Sequence, residues 1–294
     1  MQSTKTTDDF IAAPPPQAPP TRRGANASIG LAELARLLGL PSAREFSDCT
    51  ERFALTQFRP GEMLYRNGDR LRSLYAVCAG FFKTSVISGG AEQVLAFPMP
   101  GDVLGLDGLG EGLHVADTVA LDACEVAIIP RANLERLVAR SPALTGHLWK
   151  LAGREFARQA ELITLLGTYG SEVRVAVFLL SLAERFAQRG YSPRWYQLRM
   201  TRADIARMLG LTHETVTRVL GRLAAAGWIR VDLKTVEIVD PAALRALAES
   251  ADAGGQVLRG RRRSAPPTAR RGARRAANQV ASRASEFAHE EGLT

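Results

Sequence analysis

The chain has 294 residues, enough for about two domains, and its 46% hydrophobic and 23% charged residues are typical of a soluble globular protein. No apolar run approaches the roughly 20 residues that span a bilayer, and no secretory signal opens the sequence, so we expect a cytoplasmic protein without membrane contacts. The net charge of +8 indicates an anionic partner such as nucleic acid, although residues 251–294, with nine arginines against four acids, contribute most of it.

The N-terminal segment, residues 1–28, contains a proline-rich run from Ala12 to Pro20 that cannot pack a hydrophobic core. We therefore predict a disordered arm. A short amphipathic helix is predicted next, from Ile29 to Leu38, because its leucines recur at helical spacing and Gly39 ends the pattern.

Residues 29–135 are predicted to form a β domain. Short apolar runs alternate here with glycines, and the runs Leu74–Val77, Phe81–Ile87 and Val126–Ile129 are typical of strands. Closely spaced turn signals of this kind indicate a compact antiparallel barrel or sandwich.

A long helix is predicted from Asn133 to about Thr168, and residues 136–170 are assigned to dimerisation. One stripe of this helix has the alternating three- and four-residue spacing of a heptad seam: Trp149, Ala152, Phe156, Gln159, Ile163 and Leu166. A second apolar stripe on a neighbouring face allows one stripe to pack on the β domain while the other meets a second copy. A single buried helix that covers one core is the alternative.

Residues 171–248 are predicted to form a DNA-binding domain. After a helix over 172–188, Thr201 begins a short helix with Asp204 completing its capping box, Gly210 permits a tight turn, and Thr212 caps a second helix. A hairpin of residues 228–231 with 236–239 follows, and Asp240 begins a closing helix. This order indicates a helix-turn-helix, whose second helix enters the major groove of DNA.

The first turns of the second helix carry the candidate base-reading side chains. Arg218 can donate two hydrogen bonds to guanine, Glu214 can accept one from cytosine, and Thr217 can offer its methyl group to thymine. We expect five other residues to contact phosphates: Thr201, Arg202, Thr212, His213 and Arg222. An ordinary helical hairpin with a solvated polar face is the alternative.

Three cysteines, Cys49, Cys78 and Cys124, lie far apart and form no Cys-x-x-Cys pair or closely spaced metal-ligand cluster. We interpret them as structural or incidental thiols and expect no metal and no other cofactor. The sequence also contains no nucleophile–base pair and no phosphate-binding loop, so it does not indicate an enzyme.

Several of these segments resemble the Crp/Fnr family of bacterial regulators, and its Fnr branch most closely, over about residues 30–248. The resemblance rests on the helix-turn-helix and on three further runs: Phe186–Arg194, Asn67–Tyr75 and Pro100–Asp107. It implies an α+β fold with a cyclic-nucleotide-binding-like β-roll, a long dimerisation helix and a C-terminal winged helix-turn-helix.

The resemblance also implies partners. The Fnr-branch signature Glu-x-x-Ser-Arg reads Glu214-Thr-Val-Thr217-Arg218 here, which implies an inverted repeat of TTGAT-type half-sites on double-stranded DNA, bound by a homodimer. In this family the region of the loop Leu106–His114 contacts RNA polymerase. Because that loop is rich in glycine, we expect it to be exposed.

Two departures from the family concern the sensor. Oxygen-sensing members bind a [4Fe–4S] centre through an N-terminal cysteine cluster and one further cysteine, whereas no cysteine precedes Cys49 here, and Ala127 stands at the further position. Nucleotide-sensing members have a Gly-Glu turn and an Arg-Ser pair at the phosphate. Here those positions read Gly105-Leu106-Asp107 and Ala116-Asp117, and an aspartate repels phosphate. We expect neither an iron–sulfur centre nor a bound cyclic nucleotide.

Two other functions stay open from the sequence. The chain could be a small-ligand, cyclic-nucleotide-like receptor whose output is not DNA binding, or a nucleoid-type protein that binds DNA without sequence preference. The second function would use residues 249–294, which we predict to be a disordered arginine-rich tail. The base-reading residues favour a sequence-specific regulator.

Overall fold

The computed structural model describes residues 27–40 and 50–249, and the described residues up to Ala248 belong to one compact unit. The predicted arm, apart from its last two residues, and the tail beyond Glu249 lie outside these ranges. None of the helices within the two ranges has the length and apolarity that a bilayer crossing requires. The elements are, in chain order, β1 (Ser28–Gly30), α1 (Leu31–Leu37), β2 (Arg52–Phe58), β3 (Met63–Tyr65), β4 (Ser73–Ala79), β5 (Phe82–Ser88), β6 (Ala91–Ala96), β7 (Val103–Leu104), β8 (Asp117–Ala120), β9 (Cys124–Pro130), α2 (Arg131–Arg140), α3 (Pro142–Thr168), α4 (Ser171–Ala187), β10 (Trp195–Gln197), α5 (Arg202–Leu209), α6 (His213–Ala225), β11 (Ile229–Asp232) and β12 (Thr235–Ile238).

Strands β1 to β9 form a β-roll of two antiparallel sheets. The five-stranded sheet has the order β1-β2-β9-β4-β7, and the four-stranded sheet has the order β3-β8-β5-β6. Side chains from both sheets pack between them, among them Tyr65, Val77, Phe82 and Val126. This arrangement confirms the three predicted strands, which fall in β4, β5 and β9 with a shift of about one residue.

The start of the first predicted helix is wrong. Ser28 and Ile29 belong to β1, which pairs with β2, so α1 begins at Leu31 and the arm ends before Ser28. The carbonyl oxygen of Ala27 also accepts a hydrogen bond from the Leu55 backbone N–H at 2.9 Å. The prediction failed because residues 28–30 pair with the edge of β2, and the helical spacing of the leucines does not indicate this pairing.

The single helix predicted from Asn133 to Thr168 is also wrong, because it is broken at Ser141. Helix α2 ends at Arg140, and α3 begins with Pro142 in its first turn. A proline has no backbone N–H and disfavours the helical conformation of the residue before it, and Ser141 is accordingly extended (φ −132°, ψ 103°). Its hydroxyl oxygen then caps α3 by accepting from the Leu144 N–H at 3.3 Å. The helix assigned to dimerisation therefore begins at residue 142 rather than 136.

The two apolar stripes of α3 have different surroundings. Leu162 and Leu165 of the second stripe are buried. The heptad stripe instead leaves Trp149, Phe156 and Ile163 exposed by 73%, 77% and 71% of their surface. The other three members of the heptad stripe, Ala152, Gln159 and Leu166, are half-buried, so the large exposed apolar side chains of α3 all belong to that stripe.

Helices α4 to α6 and a three-stranded sheet form the C-terminal part of the compact unit. The sheet has the order β10-β12-β11, which confirms the predicted hairpin and adds β10, which the sequence analysis missed because it has only three residues. One hydrophobic cluster joins this part to the β-roll: Phe81, Val94, Phe97 and Met99 of the β-roll share it with Val175, Leu179, Leu209 and Val219. Residues 241–249 are helical, and Asp240 caps them by accepting from the backbone N–H groups of Ala242 and Ala243.

Candidate DNA-binding site

The helix-turn-helix is built from short-range hydrogen bonds that the sequence specifies. The Thr201 hydroxyl oxygen accepts from the Asp204 backbone N–H at 3.1 Å, and the Asp204 carboxylate accepts from the Thr201 backbone N–H at 3.0 Å. This is the predicted capping box. Gly210 then adopts a left-handed conformation (φ +60°), with the Arg174 and Leu166 side chains close to where a side chain would lie. A glycine is required at this turn because both the backbone angle and the space oppose a larger residue.

Helix α6 presents its first turns to solvent. Thr212 caps it by accepting from the Thr215 N–H at 3.2 Å. One face is fixed against the core by buried apolar side chains: Val216, Val219, Leu220 and Leu223. The opposite face, with the base-reading candidates, is exposed, so the predicted reading surface is available to a groove of DNA.

The three base-reading candidates lie together on that exposed face. Hydrogen bonds from its own backbone N–H and from the Thr212 side chain lower the pKa of Glu214, which therefore presents an ionised acceptor at neutral pH. The Thr217 hydroxyl donates to the His213 carbonyl oxygen at 2.9 Å, which leaves its methyl group as the group for outside contacts. Arg218 forms no ion pair with any residue in the described ranges, so its guanidinium group is available.

Arg202, expected at a phosphate, contacts the hairpin after α6 instead of standing free. Its guanidinium group donates to the Leu233 carbonyl oxygen at 3.3 Å. Leu233 forms the tip of the β11–β12 hairpin, is 90% exposed and has a positive φ of 50°. Arg202 thereby helps to position this hairpin, which is the wing of the winged helix-turn-helix, relative to α5.

Two other phosphate candidates also have partners inside the chain. The Arg222 guanidinium group pairs with Glu172 at 2.8 Å, and His213 Nδ1 lies 3.0 Å from a Glu214 carboxylate oxygen. Thr201 and Thr212 are the helix caps described above. The phosphate contacts of all five residues stay predictions, and each of these side chains has a partner within the chain.

A set of ion pairs that was not expected from the sequence fixes α5 on the β-roll. Lys83 Nζ of β5 lies 3.1 Å from the capping carboxylate of Asp204 and 2.8 Å from Glu92 of β6. Arg207 of α5 lies 3.3 Å from Glu92. No sequence signal points to these contacts, because Lys83 and Asp204 lie 121 residues apart. Helix α5, the first helix of the helix-turn-helix, is therefore held in place by the β-roll.

A second missed cluster centres on Asp102, which is 7% exposed in the loop after β6. Its carboxylate accepts from Arg185 at 2.6 Å and Arg189 at 2.8 Å, both near the end of α4, and from Arg158 of α3 at 3.4 Å. The Met99 backbone N–H donates to it at 2.9 Å. Burial opposes ionisation, but the three guanidinium groups outweigh it and hold the pKa of Asp102 below its usual value.

The interior of the β-roll is poorly suited to a cyclic phosphate. Asp107 accepts from the Val115 N–H at 2.9 Å, and Asp117 accepts from the Asn67 N–H at 2.8 Å, so carboxylates stand at both positions where the family resemblance implies contacts to the phosphate. A phosphate needs donors and positive charge. The residues present do not fit a cyclic nucleotide.

The loop over residues 106–114 is less exposed than expected. Gly108 is buried, and His114, 2% exposed, stacks on Tyr65 with ring centroids 3.7 Å apart. Glu111 and its neighbour Gly110 are exposed. The glycines allow the loop to fold back onto the β-roll, so only its tip is a free surface.

Ionisation of the two described cysteines is disfavoured in the folded chain. Burial raises the pKa of both Cys78 and Cys124 to about 12, and the Cys124 thiol donates to the Phe81 carbonyl oxygen at 3.1 Å. Within residues 27–40 and 50–249, no group of three possible metal ligands comes together. An iron–sulfur centre needs about four thiolates, so these residues do not fit one. Cys49 lies outside the described residues.

Two family models match separate parts of the chain. A model of the Crp-like helix-turn-helix domain matches residues 173–247, and a model of the cyclic nucleotide-binding domain matches residues 55–141. The first contains α5 and α6, and the second contains most of the β-roll. The second match supports the cyclic-nucleotide-binding-like fold of the β-roll.

Curated relatives and solved structures agree with these matches. The fumarate and nitrate reduction regulatory protein of Salmonella typhimurium is 40% identical over 189 residues, which cover 64% of this chain and 76% of the relative, and that of Escherichia coli K12 has the same identity and coverage. The structure of FixK2 from Bradyrhizobium japonicum is 27% identical, with a TM-score of 0.62 over 66% of this chain and 96% of FixK2. A Crp/Fnr-family regulator from Thermus thermophilus, 24% identical with a TM-score of 0.53 over 67% of this chain and all of that one, shares the fold. The chain therefore belongs to the Crp/Fnr family of DNA-binding transcription regulators, in its Fnr branch.

Proposed function

We propose that this regulator acts in the cytoplasm as a homodimer that binds an inverted repeat of TTGAT-type half-sites. The observation that carries the proposal is the exposed start of α6. There an ionised acceptor on Glu214, a methyl group on Thr217 and an exposed guanidinium group on Arg218 lie on one face. These are the groups that read cytosine, thymine and guanine in the major groove.

The exposed stripe of α3 supports the homodimer. Trp149, Phe156 and Ile163 are large apolar side chains that a monomer would leave in water. A symmetric partner helix would bury all three, and the uncharged Gln159 would not cause repulsion at the two-fold axis. Two copies of α6 would then meet half-sites about one helical turn, roughly 34 Å, apart.

Arg218→Ala tests the base readout. We expect the variant to lose about 1–3 kcal/mol of binding free energy at the specific site and to accept any base at one guanine position per half-site, because a bidentate contact is lost. Affinity for a TTGAT palindrome and for its single-base variants, measured at one salt concentration, checks this.

Arg131→Ala provides the matched control for this experiment. Arg131 is an exposed arginine of α2 that pairs with Glu135, and its removal lowers the net charge equally. An equal loss of affinity on specific and random DNA in the Arg218 variant would reduce Arg218 to a phosphate contact. It would also favour the nucleoid-type alternative, in which the basic tail supplies the affinity.

RNA polymerase is the second proposed partner, and Glu111 tests it. This side chain is exposed at the tip of the loop over residues 106–114. We expect Glu111→Lys to lower transcription activation several-fold while affinity for the palindrome stays within about twofold, because α6 is untouched. In vitro transcription and DNA titration of the same preparation measure both. Normal activation by the Glu111→Lys variant would indicate that the loop is a surface turn that does not contact RNA polymerase.

A further inference from the structure

Helix α5 is attached to the β-roll at its first turn. The Asp204 carboxylate uses its two oxygens for different purposes. Oδ2 accepts from the Thr201 backbone N–H at 3.0 Å and from the Thr201 hydroxyl at 2.6 Å, whereas Oδ1 lies 3.1 Å from Lys83 Nζ of β5. The carboxylate that caps α5 therefore also ties the start of this helix to the four-stranded sheet.

This contact is part of a closed network of four charges. Lys83 Nζ lies 2.8 Å from Glu92 of β6, and Arg207 of α5 lies 3.3 Å from Glu92 and 3.4 Å from Asp204. The Lys83 and Asp204 side chains are only 14% and 8% exposed. Burial opposes their ionisation, but the hydrogen bonds and ion pairs outweigh it. They raise the pKa of Lys83 and lower the pKa values of Glu92 and Asp204, so these three groups are charged at neutral pH.

The other end of α5 is attached to the long helix α3. The Arg174 guanidinium group of α4 donates to the Leu209 carbonyl oxygen in the last turn of α5 at 2.9 Å. It also donates to the carbonyl oxygens of Leu166 and Tyr169 at the end of α3, at 2.7 Å each. The last carbonyl groups of a helix have no partner within it and favour a cation. One side chain therefore joins the ends of two helices.

Attachment at both ends fixes the direction of α5. A helix that is held at one end can swing about that point, whereas contacts at both ends, with two different elements, define its axis. Helix α6 follows α5, because the tight turn at Gly210 joins them and Ile205 of α5 belongs to the same hydrophobic cluster as Val216 of α6. The base-reading face therefore has a fixed place relative to the β-roll and α3.

In a homodimer, that place determines how far apart the two copies of α6 lie. One added base pair between two half-sites moves them about 3.4 Å further apart and rotates one against the other by about 35°, so a rigid pair of helices fits one spacing best. We propose that Lys83 is a positioning residue that determines which half-site spacing the dimer binds, because it holds α5 on the β-roll. This inference rests on the proposed function, since it requires a homodimer and an inverted repeat.

Lys83→Met tests the inference, because it removes the charge and keeps a long side chain. Full-length wild type and variant are titrated at one salt concentration with TTGAT palindromes whose central spacer grows by single base pairs over about one helical turn. We expect the wild type to prefer one spacing about tenfold or more over its neighbours, and the variant about threefold or less, because α5 can then swing. Discrimination against a single-base change in the half-site should stay within about twofold, because α6 is unchanged.

Three further variants serve as controls. Lys83→Arg keeps the charge, and we expect it to keep the spacing preference. Lys150→Met removes the same charge from an exposed position of α3 outside the heptad stripe, so any loss of affinity should be equal at all spacings. Glu92→Gln weakens the network from β6 and should lower the spacing preference about threefold, which provides the test if Lys83→Met does not fold.

Three results would overturn the inference. The first is a wild-type spacing preference in both Lys83→Met and Glu92→Gln. The second is its loss in Lys150→Met, which would make it an effect of net charge. The third is a wild type that binds TTGAT palindromes equally at every spacing. Failure of the proposed function looks different, because the wild type would then prefer no palindrome over random DNA, and the inference would fail with it.

Discussion

Asp102→Asn is expected to lower the free energy of unfolding by about 3 kcal/mol. The amide keeps the shape of the carboxylate but leaves Arg185 and Arg189 without a counter-charge, and both are largely buried, with 17% and 16% of their side chains exposed. Removing one partner from a buried ion pair costs about 3–5 kcal/mol, and the partial exposure of Arg158 favours the lower end. Urea denaturation followed by tryptophan fluorescence measures the change.

The effect of this substitution should depend on pH. Because the folded state lowers the pKa of Asp102, its contribution is present above the usual value of 3.8 and is lost as the pH falls through the lower folded value. The difference between wild type and variant should therefore shrink in acid.

Glu237→Gln is the matched control, since it makes the same change in an exposed pair with Arg230 at 2.9 Å. Such a pair contributes less than about 1 kcal/mol. Equal effects of the two substitutions would show that the Asp102 cluster is no stronger than a surface contact.

Ile163→Glu is expected to convert the proposed dimer into a monomer. The side chain is 71% exposed in the single chain, so the fold of the monomer should be unaffected. Across a two-fold axis the new carboxylates would face each other, and two like charges about 4 Å apart repel by about 4 kcal/mol at an effective dielectric of 20. The dissociation constant should rise by about several hundredfold, as analytical ultracentrifugation can measure.

Ala157→Glu controls for added charge on the same helix. Ala157 is exposed but lies outside the heptad stripe, so its variant should dimerise like the wild type. If Ile163→Glu stays dimeric, the two chains pair through another surface, and the exposed stripe needs a different explanation.

The wild-type chain should be a dimer both in air and without oxygen, because the described residues do not form a site for an iron–sulfur centre. Light scattering of the two preparations tests this. A brown protein that pairs only without oxygen would contradict the interpretation of the cysteines.

The helix-turn-helix was predictable because its signals are local. The caps Thr201 and Thr212 and the turn at Gly210 each act within three or four residues, and the structure confirms all three. The periodicity of α3 was local in the same way, and it placed the exposed Trp149, Phe156 and Ile163 on one stripe and the buried Leu162 and Leu165 on the other. The break at Ser141-Pro142 also has a local signal, the proline itself, but the apolar periodicity on both sides obscured it.

Only the tertiary structure decided which charges meet. Asp102 pairs with Arg185, which lies 83 residues away in the sequence, and Lys83 pairs with Asp204, which lies 121 residues away. The strength of these contacts depends on burial and distance, which are properties of the packed chain. The same holds for Arg202, whose hydrogen bond to the tip of the hairpin depends on how the chain folds. The amino-acid sequence by itself determined the reading helix and its exposed face, since both follow from hydrogen bonds and periodicity within a single turn or two. How that helix is held on the β-roll was decided by folding, because charge pairing acts through space and leaves no periodic trace along the chain.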